Sequence, residues 1–290
     1  TAFITGGGSG IGQALAKALA ARGAQVCVAD LDAQAAQRVA AECGAGASAV
    51  SLDVRDAPAV RAAIEGFAQR AGRLDYLFNN AGIGVAGEAH EIPLEAWRWV
   101  VDVNVHGVLH GVLAAYPLMV RQGFGHIVNT ASLAGLGPAP LLTPYALAKH
   151  AVVGMSTSLR IEAAAHGVRV SALCPAAVET PILDARNPAV FGIPWGPDLR
   201  RFLTTLAGPP YAVERCAEDT LDAVARNVPV IVVPGRARLG WRLGRWWPGL
   251  VEKVSAKAVA AERQSRGGEP AAMPELLGSS GPQPLKKRYF

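Results

Sequence analysis

Cysteine is scarce in this sequence. Its 290 residues include four, Cys27, Cys43, Cys174 and Cys216, which are widely separated and have no CxxC spacing. This scatter excludes a disulfide-dense scaffold of the secreted kind, and it offers no cluster for a metal ion, so no metal site is expected. We therefore expect a protein of a reducing, cytoplasmic compartment.

Long hydrophobic runs are also missing, although apolar residues make up 51% of the chain. Gly, Pro and charged residues interrupt every apolar stretch before it reaches the roughly 20 residues that span a bilayer. We therefore predict no transmembrane segment. The strand-like run Ala2–Thr5 follows Thr1 directly, and no secretory leader is expected within these residues.

An excess of positive charge is missing from most of the chain. Residues 1–234 contain 17 Lys and Arg against 19 Asp and Glu, whereas residues 235–290 contain 11 against 4. The net charge of +5 therefore belongs to a C-terminal extension and not to the main body. A body of this charge gives no reason to expect specific binding of nucleic acid.

Short apolar runs alternate with longer segments of helical periodicity, which is typical of a parallel sheet wrapped by helices. The predicted strands are 2–5, 25–29, 47–52, 76–78, 126–130, 169–173 and 230–233. The predicted helices are 11–22, 33–42, 57–71, 94–121, 144–166 and 213–226. This order predicts one α/β domain over residues 1–234, a three-layer, doubly wound Rossmann fold with about seven mostly parallel strands.

Residues 235–290 differ in composition from the rest. The first part, GRARLGWRLGRWW, mixes Arg with Trp and predicts an amphipathic surface helix or an extended arm, and the Gly- and Pro-rich end predicts a flexible tail. Docking on its own body or on a neighbouring subunit is the first interpretation of this extension. Peripheral contact with an anionic membrane is the second, and nonspecific nucleic-acid contact a distant third.

A glycine-rich turn follows the first predicted strand and opens the first predicted helix. Its sequence, GGGSGIG, lets the backbone approach a pyrophosphate closely, and free amides at the helix start stabilise that charge. Such a turn is weak evidence alone, because a flexible loop has the same composition. The candidate cofactor residues here are Gly6, Ser9, Gly10, Ile11 and Gly12.

An acidic residue, Asp30, ends the second predicted strand, 18 residues after Gly12. A carboxylate there accepts hydrogen bonds from an adenosine ribose and repels a 2′-phosphate. With Leu31 after it, and Ser9 in place of a cation in the turn, NAD is favoured over NADP. The alternative interpretation is an ordinary solvated acid before a helix.

Two later strand ends carry further polar groups. Asp53 follows the third predicted strand, where it would accept from the adenine amino group while Val54 packs on the ring. NNAG follows the fourth strand, and Asn80, Ala81 and Gly82 offer a backbone that approaches the cofactor closely. For Asn79, a structural turn role and a cofactor role are equally open.

The run TPYALAKHAV predicts the start of a helix with Thr143 as N-cap and Pro144 at the first position. Tyr145 then lies in the first turn, and Lys149 on the same face. A nearby ammonium and the helix start would both lower the pKa of the phenol, so that Tyr145 exchanges a proton with an alcohol or ketone. A surface pair is the commoner meaning of this spacing taken alone.

Two further polar residues precede that helix. Ser132 stands thirteen residues before Tyr145, at the end of the fifth strand, where its hydroxyl would hold the substrate oxygen. Asn104 lies among Val and His in the long predicted helix, where an amide suits a hydrogen-bond relay.

Taken together, TGGGSGIG, Asp30, Asp53, NNAG, Asn104, Ser132, YALAK and CPAAVET resemble the short-chain dehydrogenase/reductase family over residues 1 to about 234. The resemblance implies a catalytic tetrad of Asn104, Ser132, Tyr145 and Lys149, with Tyr145 and Lys149 also touching the cofactor. It implies cofactor contacts at Pro175, with Thr180 and the backbone near Val178 holding the nicotinamide carboxamide. It also implies a homotetramer or homodimer built on the long helices. Ala176 departs from the usual glycine.

Substrate specificity is expected from the loop after Ser132 and from a lid over residues 181–211, both of which are apolar. The candidate pocket residues are Leu133, Phe191, Ile193, Trp195, Phe202 and Leu206. Each of these is equally compatible with packing of the lid or with a subunit contact. We expect a hydrophobic secondary alcohol or its ketone, such as a cyclic, aromatic or steroid-like compound. The alternative function is a catalytically silent dinucleotide-binding sensor or scaffold.

Overall fold

In the computed structural model, which describes residues 1–264 and 266, seven strands alternate with helices along the chain. The strands are β1 (Ala2–Thr5), β2 (Val26–Asp30), β3 (Ala47–Ser51), β4 (Tyr76–Asn79), β5 (Gly125–Thr130), β6 (Val168–Pro175) and β7 (Val230–Val233). The α-helices are α1 (Gly10–Ala21), α2 (Ala33–Cys43), α3 (Ala57–Ala71), α4 (Leu94–Val101), α5 (Gly107–Gln122), α6 (Thr143–Ala164), α7 (Leu199–Ala207), α8 (Val213–Ala225), α9 (Gly235–Trp246) and α10 (Pro248–Gln264).

All seven strands are parallel, in the order β3-β2-β1-β4-β5-β6-β7. The winding direction reverses between β1 and β4. In sheets of this kind, ligands bind at the carboxyl ends of the strands beside that reversal. The predicted doubly wound α/β fold is confirmed.

Helices cover both faces of the sheet because successive strand residues point to opposite sides. In β1, Ala2 and Ile4 pack in the layer formed by α1, α2 and α8, whereas Phe3 packs in the layer formed by α3, α5 and α6. Leu15 on α1 and Ile64 on α3 are fully buried in these two layers. Burial of each such side chain contributes roughly 1.5–3 kcal/mol.

The bounds of the predicted elements agree with the structure to within two residues. One detail differs: α6 starts at Thr143, and the N-cap is Leu142, which makes no side-chain cap bond. Tyr145 nevertheless lies in the first turn, as expected. Helix α7 inside the lid was not predicted, and Asp198 caps it by accepting from the Arg201 amide at 2.9 Å.

The long predicted helix is one continuous run, Leu94–Gln122, in which a π turn at Asp102–His106 joins α4 to α5. By length and composition alone this run would span a membrane, since its most apolar 18-residue window has a mean hydropathy of 1.4. In the protein, 44% of that window is buried, with Val112 and Met119 packed against the sheet. This packing accounts for part of its apolar composition.

The extension begins as helix α9 directly after β7 and docks on the rest of the chain. Ala237 and Trp241 of α9 pack against Val232 of β7. Helix α10 lies beside α7, and its Glu262 accepts from Arg201 at 2.6 Å. The structure therefore contains docking of the extension on its own body, one of the two forms of the first interpretation. The tail predicted to be flexible lies outside the described residues.

Candidate active site

A large cleft, about 2100 Å³ in volume, opens at the carboxyl ends of the strands, where the winding reverses. It is lined by residues from the loops after β1, β2, β3, β4, β5 and β6. Those that the sequence predicted are Gly6, Ser9, Gly10, Ile11, Asp30, Leu31, Asp53, Val54, Asn80, Ala81, Gly82, Ser132, Leu133, Tyr145, Lys149, Pro175, Val178 and Thr180. The fold thus brings together side chains that are up to 174 positions apart in the sequence.

Gly6 and Gly12 are two positions of the glycine turn where a side chain would not fit. Gly6 has φ +62, and a Cβ there would lie 2.7 Å from the Ala81 Cα. A Cβ on Gly12 would lie 2.2 Å from the Gly6 carbonyl oxygen, so Gly12 holds the turn against the helix without lining the cleft itself. Ser9 makes no side-chain cap bond with α1, so the first amides of that helix keep their donors for a ligand.

The glycine turn is fixed to the loop after β4. The Thr5 hydroxyl accepts from the amides of Asn80 and Ala81 at 3.0 and 3.1 Å, and the Asn80 amide group donates to the Gly6 carbonyl at 3.2 Å. These bonds hold the two loops beside each other across the reversal of the sheet. The resulting backbone groove has the shape and donors that a pyrophosphate needs.

Asp30 ends β2 at the floor of the same groove. Its carboxylate accepts from the Gly8 amide at 2.9 Å and from the Asp32 amide at 3.0 Å. Each oxygen keeps a second lone pair toward the cleft. Arg38 of α2 also contacts this groove and was not predicted from the sequence. Its side chain donates to the Gly8 carbonyl at 3.1 Å, and its Nε atom lies 3.9 Å from the Glu42 carboxylate.

The predicted adenine end of the cleft is formed by the loop after β3. Asp53 accepts from the Arg55 side chain at 2.6 Å, and this arginine holds the pKa of the carboxyl below its usual value. Val54 is buried against Gly107 of α5. A Cβ on Gly107 would lie 2.7 Å from the Val54 Cγ2 atom, so only glycine leaves room for the valine side chain.

Asn79 has a structural position. It is buried, and its amide group donates to Asn129 of β5 at 2.9 Å and to the Val108 carbonyl of α5 at 3.3 Å. It does not line the cleft. Of the two roles left open by the sequence, the structure supports the structural one, in which Asn79 joins β4 to β5.

Tyr145 and Lys149 lie on one face of α6, at the centre of the cleft. The Lys149 side chain is buried, and its Nζ donates to the Thr130 carbonyl at 2.8 Å and lies 5.4 Å from the Tyr145 ring centroid. A Cβ on Gly82 would lie 3.3 Å from that Nζ atom, so the loop after β4 passes directly over the lysine. This position would let the ammonium reach a ribose in the groove.

The ionisation of this pair differs from the sequence expectation. Burial raises the pKa of Tyr145 above its usual value, and a hydrogen bond with Ser132 opposes that rise without cancelling it. Burial also lowers the pKa of Lys149 to about 8. The expected lowering of the tyrosine pKa is absent because desolvation is the larger effect and Nζ bonds the Thr130 carbonyl rather than the phenol.

Ser132 and Asn104 each hold a loop of the site in place. Ser132 caps the short 3-10 turn Leu133–Gly135 by accepting from the Ala134 amide at 3.1 Å, which fixes its hydroxyl beside Tyr145. Asn104 lies in the π turn, fully buried, and makes two hydrogen bonds of 2.8 Å with the Ile83 backbone. It therefore fixes the loop over Lys149 and does not line the cleft. π turns of this kind are frequent at functional sites.

The segment after β6 closes the predicted nicotinamide end. Val178 is buried and bridges to Tyr211, and the Thr180 hydroxyl donates to the Val178 carbonyl at 3.2 Å. A Cβ on Gly10 would lie 3.1 Å from the Thr180 Cγ2 atom. The segment therefore lies directly against the glycine turn. Ala176, the departure from the family pattern, donates its amide to the Val233 carbonyl at 2.8 Å without disturbing β6.

Three predicted pocket residues lie elsewhere. Phe191 and Ile193 pack with Val85 and Ile92, and Trp195 packs with Leu141, so none of them lines the cleft. The cause is the anchoring of the lid: Asn187 makes two hydrogen bonds to the Ala86 backbone, at 2.9 and 2.6 Å. Gly87 then lies under the lid, where a Cβ would be 2.8 Å from the Trp195 carbonyl oxygen.

The apolar wall of the cleft comes from α7, α9 and α10. Phe202, Leu203 and Leu206 line it from α7, and Phe202 and Leu206 were among the sequence candidates. The roof residues were missed: they are Trp241 and Gly244 of α9 and Val251, Ser255 and Val259 of α10. Their spacing is a helical pattern, but nothing in the sequence indicates what that helical face covers.

Comparisons with known proteins agree with this geometry. The family model for the short chain dehydrogenases matches residues 1–190. The cyclohexanol dehydrogenase of Acinetobacter sp. is 38% identical over 186 residues, which cover 63% of this chain and 74% of that protein. The 2,5-dichloro-2,5-cyclohexadiene-1,4-diol dehydrogenase of Sphingobium indicum is 41% identical over 185 residues, with the same coverage of both chains.

A solved structure extends the likeness over most of the chain. A short-chain dehydrogenase/reductase from Burkholderia phymatum in complex with NAD superimposes with a TM-score of 0.77. It is 34% identical, and the match covers 86% of this chain and 94% of that one. The chain therefore belongs to the short-chain dehydrogenase family, as an NAD(P)-dependent oxidoreductase that acts on CH–OH groups.

Proposed function

We propose that this enzyme uses NAD to interconvert a hydrophobic, cyclic secondary alcohol and its ketone, with Tyr145 as the general acid and base. The observation that carries the proposal is the position of Tyr145: it lies in the first turn of α6 and shares with Ser132 a cleft that has a dinucleotide groove at one end and an apolar wall at the other.

The protein groups divide the work between them. Ser132 would donate to the substrate oxygen and hold it beside the Tyr145 hydroxyl. Tyr145 would accept the hydroxyl proton during oxidation and return it to the ketone oxygen during reduction. Lys149 would stabilise the phenolate electrostatically, and Asn104 is a positioning residue because it acts only by fixing the loop over Lys149.

The residues present fit a nicotinamide dinucleotide. The first amides of α1 and the glycine turn would hold the pyrophosphate, Asp30 and Lys149 the two riboses, and Asp53 with Val54 the adenine. Pro175, Val178 and Thr180 would hold the nicotinamide end. When bound, the cofactor supplies the hydride acceptor for oxidation of the alcohol.

NAD is the proposed cofactor in preference to NADP. The Asp30 carboxylate faces the groove, where it would accept from a ribose hydroxyl and repel a 2′-phosphate. Arg38 of α2 is the cation that contacts the glycine turn, and its hydrogen bond to the Gly8 carbonyl and its proximity to Glu42 direct it away from binding a 2′-phosphate. The Burkholderia relative, crystallised with NAD, is consistent with this preference.

The substrate class follows from the wall of the cleft and from two relatives. Leu133, Phe202, Leu203 and Leu206 present hydrocarbon to the cleft that contains Tyr145, which favours an uncharged ring over a phosphorylated or CoA-linked substrate. Arg200 of α7, a cation in the lid, is paired with Glu179 and Asp184. The named activities of the Acinetobacter and Sphingobium relatives concern six-membered rings.

The experiment that tests this function is a hydride-transfer assay. The purified enzyme with NAD is given cyclohexanol, 1-phenylethanol and a hydroxysteroid, and NADH absorbance is recorded. We expect turnover of at least one ring alcohol and none of a phosphorylated alcohol. If NADH binds, as measured by fluorescence, but neither these alcohols with NAD nor the corresponding ketones with NADH are turned over, the result favours the silent sensor or scaffold.

We further propose a homo-oligomer in the cytoplasm. Leu113 of α5 and Leu147 and Ile161 of α6 are exposed, which suits a contact between the long helices of two subunits. All four cysteines are free thiols, as expected in a reducing compartment. Light scattering tests the assembly, and a monomer at all concentrations would contradict it.

A further inference from the structure

The outer face of α9 carries a row of large apolar side chains. Leu239, Leu243 and Trp246 are 62%, 45% and 80% exposed, and Trp247 and Leu250 continue the surface past the helix at 59% and 62%. Residues three and four apart share one face of a helix, so the first three form a continuous row. A cluster of this kind marks an interaction site, whereas single exposed apolar residues do not.

Arginines flank this row on the same helix. Arg236, Arg238, Arg242 and Arg245 all belong to α9, and residues 235–251 contain no Asp or Glu. In the described part of the chain, Arg242 and Arg245 are exposed and form no ion pair with a carboxylate. The segment therefore combines an apolar stripe with uncompensated positive charge.

The opposite face of α9 fixes the orientation of the row. Ala237 and Trp241 pack on Val232 of β7. Farther along, Arg263 of α10 donates to Glu88 at 2.9 Å and Glu262 accepts from Arg201 at 2.6 Å. Because the inner side is held on the body at both ends, the Leu and Trp row points away from it.

We propose that the outer face of α9, with Trp247 and Leu250, binds the surface of an anionic phospholipid bilayer. Indole and leucine side chains enter the boundary between headgroups and acyl chains, while flanking arginines bind lipid phosphates. A second copy of this chain fits less well, because a twofold contact would place these arginines against each other with no acid in the segment to pair with them. Nucleic acid would leave the apolar row without a partner.

The surface is continuous with the roof of the cleft. Leu243, Trp247, Leu250 and Val254 are exposed and also line the cleft, so its rim lies on the membrane-binding face. A bilayer-dissolved alcohol would reach the apolar wall through this rim without crossing bulk water. This last step rests on the proposed function, whereas binding to the bilayer does not.

The test is flotation of the full-length protein with vesicles of phosphatidylcholine, with and without phosphatidylglycerol, at low and high salt. We expect binding about tenfold stronger to the anionic vesicles at low salt, and loss of that difference at high salt. Arg242→Gln with Arg245→Gln should remove the preference, whereas Arg61→Gln with Arg70→Gln, which changes the charge equally on α3, should not.

The apolar row has its own matched pair of variants. Trp246→Ala should reduce vesicle binding about tenfold, whereas Val190→Ala, at a site 85% exposed on the lid, should leave it unchanged. Neither residue lines the cleft, so turnover of a water-soluble alcohol should persist in both variants.

Three results would overturn the proposal: equal binding to neutral and anionic vesicles, binding that survives both α9 variants, or a lipid-free dimer that Trp246→Ala dissociates. The last would assign the surface to a second copy of the chain. Vesicle binding by a protein that turns over no alcohol would support the membrane surface while contradicting the proposed function.

Discussion

The two ends of the cleft are built by different means. At the cofactor end, backbone and polar side chains fix one another: Thr5 holds the loop after β4, Asp30 accepts from Gly8, and Lys149 donates to Thr130. At the substrate end, the wall is hydrocarbon from α7, α9 and α10, held by ion pairs such as Glu88 with Arg263. The cofactor end is therefore defined by hydrogen bonds between fixed groups, and the substrate end by the shape of an apolar surface.

The difference teaches where each property of the enzyme resides. Proton transfer needs donors and acceptors at fixed positions, and the end with directed bonds supplies them. Recognition of an apolar substrate depends on the volume and contour of the wall, which a few side-chain changes alter. At the cofactor end, loss of the proton-transfer residue should therefore abolish chemistry and loss of a cofactor contact should alter cofactor use, whereas variants at the substrate end should alter which alcohols react.

The largest effect is expected for Tyr145→Phe. The phenyl ring keeps the packing of α6 but removes the proton donor and acceptor, so kcat should fall by about a thousandfold. The NADH dissociation constant, measured by fluorescence titration, should change little. Tyr116→Phe on α5, away from the cleft, is the control and should retain full activity. Equal activity of the two variants would remove Tyr145 from the mechanism.

The pH dependence should separate the two directions of the reaction. Burial raises the pKa of Tyr145, so the phenol is the main form near neutral pH, and oxidation, which needs the phenolate, should rise about tenfold per pH unit. Reduction uses the phenol and should stay flat over the same range.

The neighbours of Tyr145 set the upper limit of that rise. The pKa of Lys149 is lowered to about 8 by burial, so above that pH the ammonium that stabilises the phenolate is lost and the rise should flatten. Burial raises the pKa of Cys174 to about 12, so this thiol stays neutral throughout. Rate profiles for oxidation and reduction that are parallel from pH 6 to 9 would contradict this assignment.

The same contrast explains what could be predicted from sequence. The residues of the cofactor end can be predicted from short sequence patterns: Gly12 follows a strand, Asp30 ends a strand, and Lys149 is four residues from Tyr145. The substrate end depends on how distant segments pack. Nothing near Phe191 reveals that Asn187 anchors the lid on Ala86 and turns the phenylalanine away from the cleft.

The ionisation of Tyr145 was also beyond reach of the sequence. The spacing predicts that Lys149 lies near the phenol of Tyr145. The sign of the pKa shift, however, depends on how far both groups are desolvated and on which acceptor the Lys149 Nζ atom bonds. In the structure that acceptor is the Thr130 carbonyl, nineteen residues away. Likewise, the pattern of α9 and α10 predicts a helical face without identifying the cleft beneath it.

A smaller effect is expected at Asp30, which would select between cofactors without taking part in chemistry. Asp30→Ala should lower the ratio of kcat/KM for NAD to that for NADP about thirtyfold, because it removes a charge-assisted acceptor for the ribose and a repulsion of the phosphate. Asp32→Ala provides the control: it removes the N-cap of α2 and should cost about 1 kcal/mol of stability while leaving that ratio unchanged. If the ratio does not change in Asp30→Ala, another residue must select between NAD and NADP.

The smallest effect is expected at the apolar wall. Leu206 is half-buried on α7, so Leu206→Ala should preserve the fold while it removes hydrocarbon from one side of the substrate. A loss of about 1.4 kcal/mol of contact corresponds to a tenfold fall in kcat/KM for a ring alcohol. A short acyclic alcohol that does not reach α7 should be little affected, and the NADH dissociation constant should not change. Leu94→Ala, exposed on α4 and outside the cleft, is the matched control. Leu206→Ala could instead weaken NADH binding and leave kcat/KM for ring alcohols unchanged. In that case the cofactor end and the substrate end of the cleft would not be separate, because the same wall would contact both ligands.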